Sequence, residues 1–495
     1  MTIILLLFVP LASAFSCALL PRGRQSTIEY LSFGAAALEL VLALAIIRAV
    51  ILHGMLAAGE LFAVDALGAF ILLFTALVGF AAAMHSIGHL RGEMHKDIIG
   101  FSRVREYYAL FHLFFFAMFA AAMTASPIIM WVAIEATTLA TAFLITFYNK
   151  PSALEAGWKH LIVNSVGLLI GFLGTLLFLN AAAVAGAAGT FVSWTTLHAL
   201  SPSFDPNLIK MAFIFVLVGY GTKVGFVPMH TWLPDAHSKA PVPISSLLSG
   251  VLLNVALIAV LRFRSVADAV LDPSFTQHLL ILFGAVSILL AALIIFAQKN
   301  YKRMLAYSSI ENMGVLGLGF GIGGMASVAA LFHMLYHALL KPILFFCAGN
   351  FFLKYSSTRI ERVRGALTLV PFTSIVFLGA LFSIAGAPPS GIFFTKLAIL
   401  SAGMRLYPWI MMIALLAFVI VFAGFIKHAM NMLFGKPPED IPAGEALLRA
   451  RLRQGEAGNW TLVSLGFLSV IFIVLSVWIP GSLSALVDQA ALLIT

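Results

Sequence analysis

The sequence GYGTKVGFVPMHTWLPDAH, residues 219–237, places one lysine inside a segment that is otherwise apolar. Lys223 follows the apolar run MAFIFVLV, and two glycines and Pro228 interrupt the helix beside it. A charged side chain at membrane depth is costly and usually has a function. A helix break at that depth is tolerated only where other groups satisfy the freed backbone. The stretch therefore predicts a functional site at a broken membrane helix.

The composition is that of a polytopic membrane protein. Of 495 residues, 62% are hydrophobic and only 10% are charged, which no water-soluble domain matches. The net charge of +9 comes mostly from short loops between apolar runs, so it does not indicate a nucleic-acid partner. Cys17 and Cys347 are the only cysteines, and without a CxxC motif or Cys/His cluster no metal or haem site is predicted. Any redox cofactor is expected in a partner subunit.

Nucleotide-driven transport is also not indicated. Gly319, Gly321 and Gly324 match G-x-G-x-x-G, but they end an apolar run and no strand precedes them. Close helix packing by small residues explains them better than nucleotide binding. The chain has no Walker motif, so ATP is not expected to drive it.

Windows of about twenty apolar residues predict fourteen membrane spans in an all-α fold. They cover about 2–20, 29–50, 61–84, 105–124, 126–148, 160–181, 208–230, 241–262, 276–297, 303–321, 324–350, 368–402, 408–432 and 461–480. The twelfth span contains Pro388-Pro389 and is predicted to be broken, like the seventh. The first could be a signal peptide, but no basic residue precedes its apolar core, so we interpret it as a span. Between the last two spans, ALLRARLRQ predicts a basic amphipathic surface helix.

The basic residues orient these spans. Loops after odd-numbered spans hold 21 of the 29 lysines and arginines, and the opposite loops hold five. This bias predicts that the odd loops are inside and that both termini are outside. The remaining three lie at membrane depth: Lys223, Lys341 and Lys396.

Charge and helix breaks repeat along the chain. A span with Glu135 is followed two spans later by the broken span with Lys223, and a span with Glu311 by the broken span with Lys396. Five spans separate the copies, so the second copy would be inverted. Paired interrupted segments in two halves are typical of transporter binding or transfer sites.

Glu135 and Lys223 are the first candidate pair. A nearby carboxylate favours the protonated form of a buried lysine, and burial opposes it. If they pair, the lysine holds its proton while the carboxylate is close and releases it when the two separate. The alternative is a static ion pair that only fixes helix packing.

The motif HMLYHALLK places His333, His337 and Lys341 on one helix face at spacing i, i+4, i+8. Histidine changes charge near neutral pH, so this stripe is suited to a proton relay. Two alternatives are a metal site, since HxxxH can bind zinc, and hydrogen bonding between helices.

Further charged groups complete the candidate set. Lys396 is expected to be a terminal proton carrier, or else a lysine whose amine reaches the membrane surface. Glu311 is expected to be a relay group or a helix cap. Lys159 and His160, at the mouth of the sixth span, could supply protons from inside.

Four other ionisable residues have no assigned role. Asp65 and Glu39 lie in apolar runs, and the sequence names no partner for either. Asp235 and His237, after the break at Pro228, are equally consistent with hydrogen bonding in a loop.

Several strings identify a family. FAVDALGAF, MWVAIEATTLATAFL, GYGTKVGFVPMHTWLPDAHSKAPVPISSLLSGVLL, KRMLAYSSIENMG, ALFHMLYHALLKPILFF and GAPPSGIFFTK resemble the antiporter-like proton-pumping subunits of respiratory complex I. The family is shared with multisubunit sodium/proton antiporters and membrane-bound hydrogenases. Within it, MWVAIEATTL, ALEAGWKHLIV and the short C-terminus look most like the F component of hydrogenase-4, a subunit of formate hydrogenlyase-type complexes.

The resemblance implies two inverted five-helix repeats, about residues 104–262 and 276–432, followed by the last span at 461–480. It implies that Glu135 and Lys223 form the carboxylate–lysine pair of the first half-channel. His333, His337 and Lys341 would belong to the central relay, and Lys396 to the second broken helix.

The chain departs from the family at Asn254. Many relatives place a lysine in this eighth span, whereas asparagine hydrogen-bonds but does not titrate. The link between the halves would then need water, His333 or another group.

The expected function is proton translocation by a membrane subunit that lacks its own catalytic site, cofactor or metal. Its expected partners are the lipid bilayer and the other membrane and peripheral subunits of a redox complex, such as a nickel–iron hydrogenase. The expected location is the cytoplasmic membrane of a bacterium or archaeon. The alternatives are a cation/proton antiporter subunit and a membrane anchor or energising subunit of an inorganic-carbon transporter.

Overall fold

The computed structural model describes residues 1–21, 23–187, 189, 191–434, 455–456 and 458–494, and these are almost entirely helical. The amphipathic helix predicted for ALLRARLRQ, residues 446–454, lies outside the described residues.

The N-terminal part of the chain consists of long helices and one small hairpin. Its elements are α1 (Thr2–Leu19), α2 (Gln25–His53), β1 (Leu56–Ala58), β2 (Phe62–Val64), α3 (Ala66–Met94), α4 (Phe101–Met123), α5 (Pro127–Ile145), α6 (Pro151–Ala182), α7 (Trp194–Leu200) and α8 (Pro206–Val224).

The central and C-terminal parts are also helical. Their elements are α9 (Trp232–Lys239), α10 (Val242–Leu247), a π-helical turn (Leu248–Leu252), α11 (Leu253–Asp268), α12 (Ser274–Ala297), α13 (Tyr301–Ile322), α14 (Met325–Tyr355), α15 (Ala366–Leu369), α16 (Pro371–Ala385), α17 (Gly391–Met404), α18 (Pro408–Leu433), α19 (Asn459–Val477) and α20 (Gly481–Ala491).

Twelve helical segments of the described chain are long and apolar enough to cross a membrane. The predicted tenth span corresponds to α13, a helix of 22 residues. The predicted twelfth corresponds to the two shorter apolar helices α16 and α17. The count of fourteen spans and the inverted repeat stay predictions.

Both predicted breaks are present. Helix α8 ends at Val224, where Gly225 adopts a left-handed conformation, and the chain becomes helical again only at Met229. Helix α16 ends at Ala385 with Gly386 left-handed, and α17 begins at Gly391. Glycine permits the positive φ that each of these helix ends requires.

The predicted start of the third span was wrong. Residues 62–64 form a strand that pairs antiparallel with β1, and α3 begins only at Ala66 and runs to Met94. Asp65 is the N-cap of α3 and accepts a hydrogen bond of 2.8 Å from the backbone of Gly68. A short apolar run such as FAV suits a strand as well as a helix, so hydropathy alone placed the boundary too early.

The helices differ in how far they are enclosed by the rest of the molecule. Helix α13 is almost wholly buried, and α10, the π turn and α11 are buried along nearly their whole length. Outer helices such as α18 expose large apolar side chains, including Met412, Leu416 and Val419, as lipid-facing helices do.

Glycine allows α6 and α8 to pack closely. A Cβ added to Gly219 would lie 2.1 Å from the backbone nitrogen of Gly171 and 2.8 Å from the carbonyl oxygen of Gly167. The two backbones are therefore in direct contact just N-terminal to Lys223. This contact sets the position of the first break along the axis of α6.

We predict that Gly219→Ala lowers the free energy of unfolding by about 1–3 kcal/mol, because the new methyl group has no space against α6. Thermal unfolding of the purified protein in detergent measures the effect. Gly379→Ala is the matched control, since a Cβ at this helical glycine of α16 meets nothing within 4 Å. Equal stability of the two variants would contradict the close packing of α6 on α8.

Candidate functional site

The first break is held by side chains that satisfy its backbone. The indole of Trp232 donates to the carbonyl oxygen of Thr222 at 2.8 Å. The backbone N–H of Val227 donates to the hydroxyl of Ser287 on α12 at 3.0 Å. These two hydrogen bonds satisfy backbone groups that the interruption of the helix would otherwise leave unpaired.

Lys223 is fully buried in this last turn. Its ammonium group donates to the hydroxyl of Thr138 on α5 at 2.9 Å and lies 5.8 Å from the ring centroid of Trp232. A hydroxyl is a neutral acceptor, so this contact holds the amine without compensating its charge.

Glu135, the predicted partner, lies one turn before Thr138 on α5. One carboxylate oxygen accepts from Ser165 at 2.7 Å, and the other has no hydrogen-bond partner among the described residues. Glu135 and Lys223, both within the described chain, form no ion pair in this structure, although they attract each other electrostatically. The carboxylate and the amine therefore each contact a different hydroxyl group, Ser165 and Thr138.

His160 is buried next to this lysine. Its ring contacts the hydroxyl of Thr141 at 2.9 Å and the side chain of Asn164 at 3.1 Å, and it meets Trp232 edge to face at 4.8 Å. It interacts electrostatically with both Lys223 and His237. His160 thus lies beside the first site.

Lys159 has a different environment. It is partly exposed and forms an ion pair of 2.7 Å with Asp235 on α9, and Asp235 is also paired with Arg303 on α13. Asp235 therefore lies in a helix and not in a loop, and its two ion pairs join α9 to α6 and α13.

The central stripe is buried along its whole length. Lys341 donates to the carbonyl oxygen of Leu305 at 2.8 Å and to the hydroxyl of Ser308. No ring nitrogen of His337 or of His237 has a hydrogen-bond partner in the part of the chain that the structure describes. Both rings interact electrostatically with Lys341, so they lie around the central amine.

The second half contains a continuous chain of hydrogen bonds. The ring of His333 contacts the hydroxyl of Thr395 at 2.9 Å and the side-chain oxygen of Asn312 at 3.0 Å. The amide nitrogen of Asn312 donates to Glu311 at 2.5 Å, and the ammonium of Lys396 donates to the other oxygen of Glu311 at 2.7 Å. This chain connects α14, α13 and α17.

Lys396 also covers the end of the second broken helix. Its ammonium group donates to the carbonyl oxygens of Ile384 and Ala385 at 3.3 and 3.4 Å and lies 4.4 Å from the ring centroid of Phe418. The alternative of an amine that reaches the membrane surface was wrong, because the side chain is buried against Glu311.

The alternative of Glu311 as a helix cap was wrong as well. The N-cap of α13 is Asn300, whose side chain accepts from the backbone of Lys302 and Arg303. Glu311 lies in the middle of this helix and is fully buried. Its two oxygens accept hydrogen bonds from Asn312 and Lys396. Glu311 therefore belongs to the chain of hydrogen bonds that connects α14, α13 and α17.

Asn254 is buried in the first turn of α11, directly after the π-helical turn. Its amide nitrogen donates to the carbonyl oxygen of Gly250 at 2.9 Å. Its side-chain oxygen has no partner within the described ranges. The residue thus presents one free acceptor in the enclosed eighth span.

Sequence reasoning missed the neutral residues that join these groups. Four neutral residues that do not titrate each contact a candidate side chain: Thr138, Ser308, Asn312 and Thr395. The available signal was spacing, because Asn312 is adjacent to Glu311 and Thr138 lies three residues after Glu135.

Two residues without an assigned role have partners elsewhere. Arg262 donates two hydrogen bonds to Asp65, at 2.7 and 2.8 Å. Glu39 lies 3.7 Å from the ring of His112. No group of three or more His, Cys, Asp or Glu side chains suited to a metal ion occurs among the described residues.

Comparison with known proteins agrees with this architecture. Residues 124–422 match the family described as NADH:quinone oxidoreductase/Mrp antiporter, TM. The chain is 35% identical to a hydrogenase-4 component F homolog of Methylacidiphilum infernorum (isolate V4) over 386 residues, which are 77% of this chain and 81% of the relative. It is 29% identical to NADH-quinone oxidoreductase subunit N of Desulforudis audaxviator (strain MP104C) over 74% of this chain and 72% of that one.

Two solved structures share the fold over nearly the whole chain. A chain of the membrane-bound sulfane sulfur reductase, an archaeal respiratory membrane complex, matches with a TM-score of 0.84 and 25% identity, covering 99% of this chain and 97% of that one. A chain of the Mrp complex from Dietzia sp. DQ12-45-1b matches with a TM-score of 0.83 and 20% identity, with the same coverage. The protein therefore belongs to the NADH:quinone oxidoreductase/Mrp antiporter transmembrane family, and it is an antiporter-like, proton-translocating membrane subunit.

Proposed function

We propose that protons cross the membrane along the two lysine sites and the central histidine stripe, driven by redox chemistry in partner subunits. The observation that carries this proposal is the hydrogen-bonded chain from His333 through Asn312 and Glu311 to Lys396. Three of its four members can gain or lose a proton, and all are buried. Titratable groups linked at membrane depth are typical of proton relays.

Lys223 would be the loading group of the first half. Its amine contacts Thr138 and lies near Glu135, whose second oxygen has no partner among the described residues. Movement of the amine toward this oxygen would favour the ammonium form, and return to Thr138 would favour proton release. Redox-driven motion of the neighbouring subunit would control this exchange.

The proton would then pass through the centre of the molecule. His160 adjoins Lys223, and His237 and His337 surround Lys341. The ring nitrogens of His237 and His337 that lack partners in the described chain are available to water. Asn254 would contribute a hydrogen bond to this water but would not carry charge.

Exit would take place through the second half. His333 would pass the proton to the Glu311–Lys396 pair through water, with Asn312 holding the two groups in line by hydrogen bonds. Arrival of the proton on Glu311 would weaken the attraction between Glu311 and Lys396. Lys396 would then release its proton toward the outer side. The proposed location is the cytoplasmic membrane of a bacterium or archaeon, and the charge bias of the loops supports an orientation with both termini outside.

The drive would come from other subunits of the same complex. The relatives include a hydrogenase-4 component and a subunit of an NADH-quinone oxidoreductase, and the higher identity to the former favours a nickel–iron hydrogenase-type partner. Sodium/proton exchange is the second candidate, favoured by the fold shared with the Mrp complex. Replacement of sodium by choline separates the two, since a pure proton path is independent of sodium.

We predict that Lys223→Ala lowers proton uptake by vesicles containing the whole complex about tenfold or more, because the loading group is lost. Quenching of an acridine dye during redox turnover measures the uptake. Lys210→Ala, at an exposed lysine of the same helix, is the matched control and should pump normally. Undiminished pumping by the Lys223 variant in an assembled complex would instead favour a membrane anchor.

We also predict that Glu311→Gln lowers proton uptake about tenfold or more while the complex still assembles. Glutamine has nearly the same shape and can still accept from Lys396, but it cannot take up a proton. Glu106→Gln is the control, because Glu106 is exposed and its partners are the neighbouring Arg103 at 2.9 Å and Ser102 at 3.4 Å. Normal uptake by the Glu311 variant would remove the second half from the path.

A further inference from the structure

Helix α3 carries a second row of buried titratable side chains, away from the site described above. His85, His89 and Glu93 are spaced i, i+4, i+8, and each is at most 1% exposed. They span about 12 Å on one face of the helix. The spacing is that of His333, His337 and Lys341 on α14, against which α3 packs directly.

At the C-terminal end of α3, this row ends with the carboxylate of Glu93. It accepts a hydrogen bond of 2.6 Å from Tyr148 and attracts the ammonium of Lys302 at the start of α13. Its second oxygen has no hydrogen-bond partner among the described residues. Glu93 lies in the last turn of α3, two residues before the exposed His95, at the end that the loop charges predict to be inside.

Toward the N-terminus of α3, the row continues with the imidazole rings of His89 and His85. The ring of His89 lies 3.3 Å from Glu93, but neither of its nitrogens makes an aligned hydrogen bond within the described part of the chain. The rings of His89 and His85 are stacked with their centroids 6.1 Å apart. His85 contacts Ser464 on α19 at 3.0 Å with one nitrogen.

At the other end of the row, His85 contacts α14. The ring of His85 stacks on Phe346 of α14 at 3.9 Å between centroids. The adjacent Phe345 lies 5.9 Å from the ring of His237. Two neighbouring phenylalanines therefore separate the α3 row from the histidines around Lys341.

A role in packing alone does not account for these groups. Each buried polar atom left without a partner costs about 1–3 kcal/mol, and apolar side chains would fill the same space without this cost. Three groups that can exchange protons, aligned from the end of α3 that is predicted to be inside to an aromatic barrier, have the arrangement of a conduction path.

We propose that Glu93, His89 and His85 form an inner branch that delivers protons to the central stripe, with Phe345 and Phe346 as an apolar gate. Glu93 takes a proton from water on the inner side and passes it to the ring of His89, which becomes an imidazolium. His89 then gives one proton to His85 through water and returns to its neutral form. Wetting of the phenylalanine barrier completes the transfer to His237.

The test uses Glu93→Gln, His89→Gln and His85→Gln in vesicles containing the whole complex, with assembly checked by native gel electrophoresis. Each substitution keeps a hydrogen-bonding side chain but removes the titratable group. We expect proton uptake per electron transferred to fall about fivefold in the assembled variants. Ser86→Ala is the control, because Ser86 is buried on the same helix and its hydrogen bonds among the described residues are to the carbonyl oxygen of Ala82 and the hydroxyl of Tyr107.

This branch rests on the proposed function, and Lys223→Ala in the same vesicles separates the two. Normal uptake by the three α3 variants, with loss of uptake in Lys223→Ala, would overturn the branch alone. Normal uptake in Lys223→Ala as well would overturn the central path. Failure of all three α3 variants to assemble, while Ser86→Ala assembles, would assign the row a structural role and reject the branch.

Discussion

The ammonium groups of Lys223, Lys341 and Lys396 are buried among helices whose outer surface is apolar, and the interior supplies each of them with hydrogen-bond acceptors. Lys223 receives a hydroxyl, Lys341 a hydroxyl and a carbonyl, and Lys396 a carboxylate and two carbonyls. A buried charge without such partners would be strongly destabilising. The broken helices, the glycine contacts that bring helices together and the short polar side chains on α5 and α13 all serve this requirement.

The two halves meet the requirement in different ways. In the second half, the ammonium and the carboxylate are in contact, so their charges compensate directly. In the first half, the lysine rests on Thr138 and the carboxylate on Ser165. The molecule thus contains one lysine–glutamate pair in direct contact and one pair whose members contact separate hydroxyl groups. A cycle that alternates between the halves needs both arrangements to be accessible to each pair.

The sequence was sufficient to locate the charges and the breaks, because both violate the rules of an ordinary apolar helix. Lys223 and Lys396 stand out against apolar neighbours, and glycine with proline marks each interruption. The contacts of these lysines could not be predicted, since they depend on which helix faces meet. Thr138 and Asn312 carry no distinctive signal of their own. The hairpin before α3 was missed for a related reason: its strands are too short and too apolar to differ from the start of a span.

The amine of Lys396 donates three hydrogen bonds at the end of α16. Its three contacts, with Glu311, Ile384 and Ala385, require three N–H groups, and only the charged form of lysine has three. The neutral amine has two, so release of a proton leaves one acceptor unsatisfied in an apolar environment. In the proposed path, proton loss from Lys396 would therefore also be a mechanical event, because the end of α16 would shift or water would move toward it. The site would then convert a change in charge into a change in shape at the position where the helix is already interrupted.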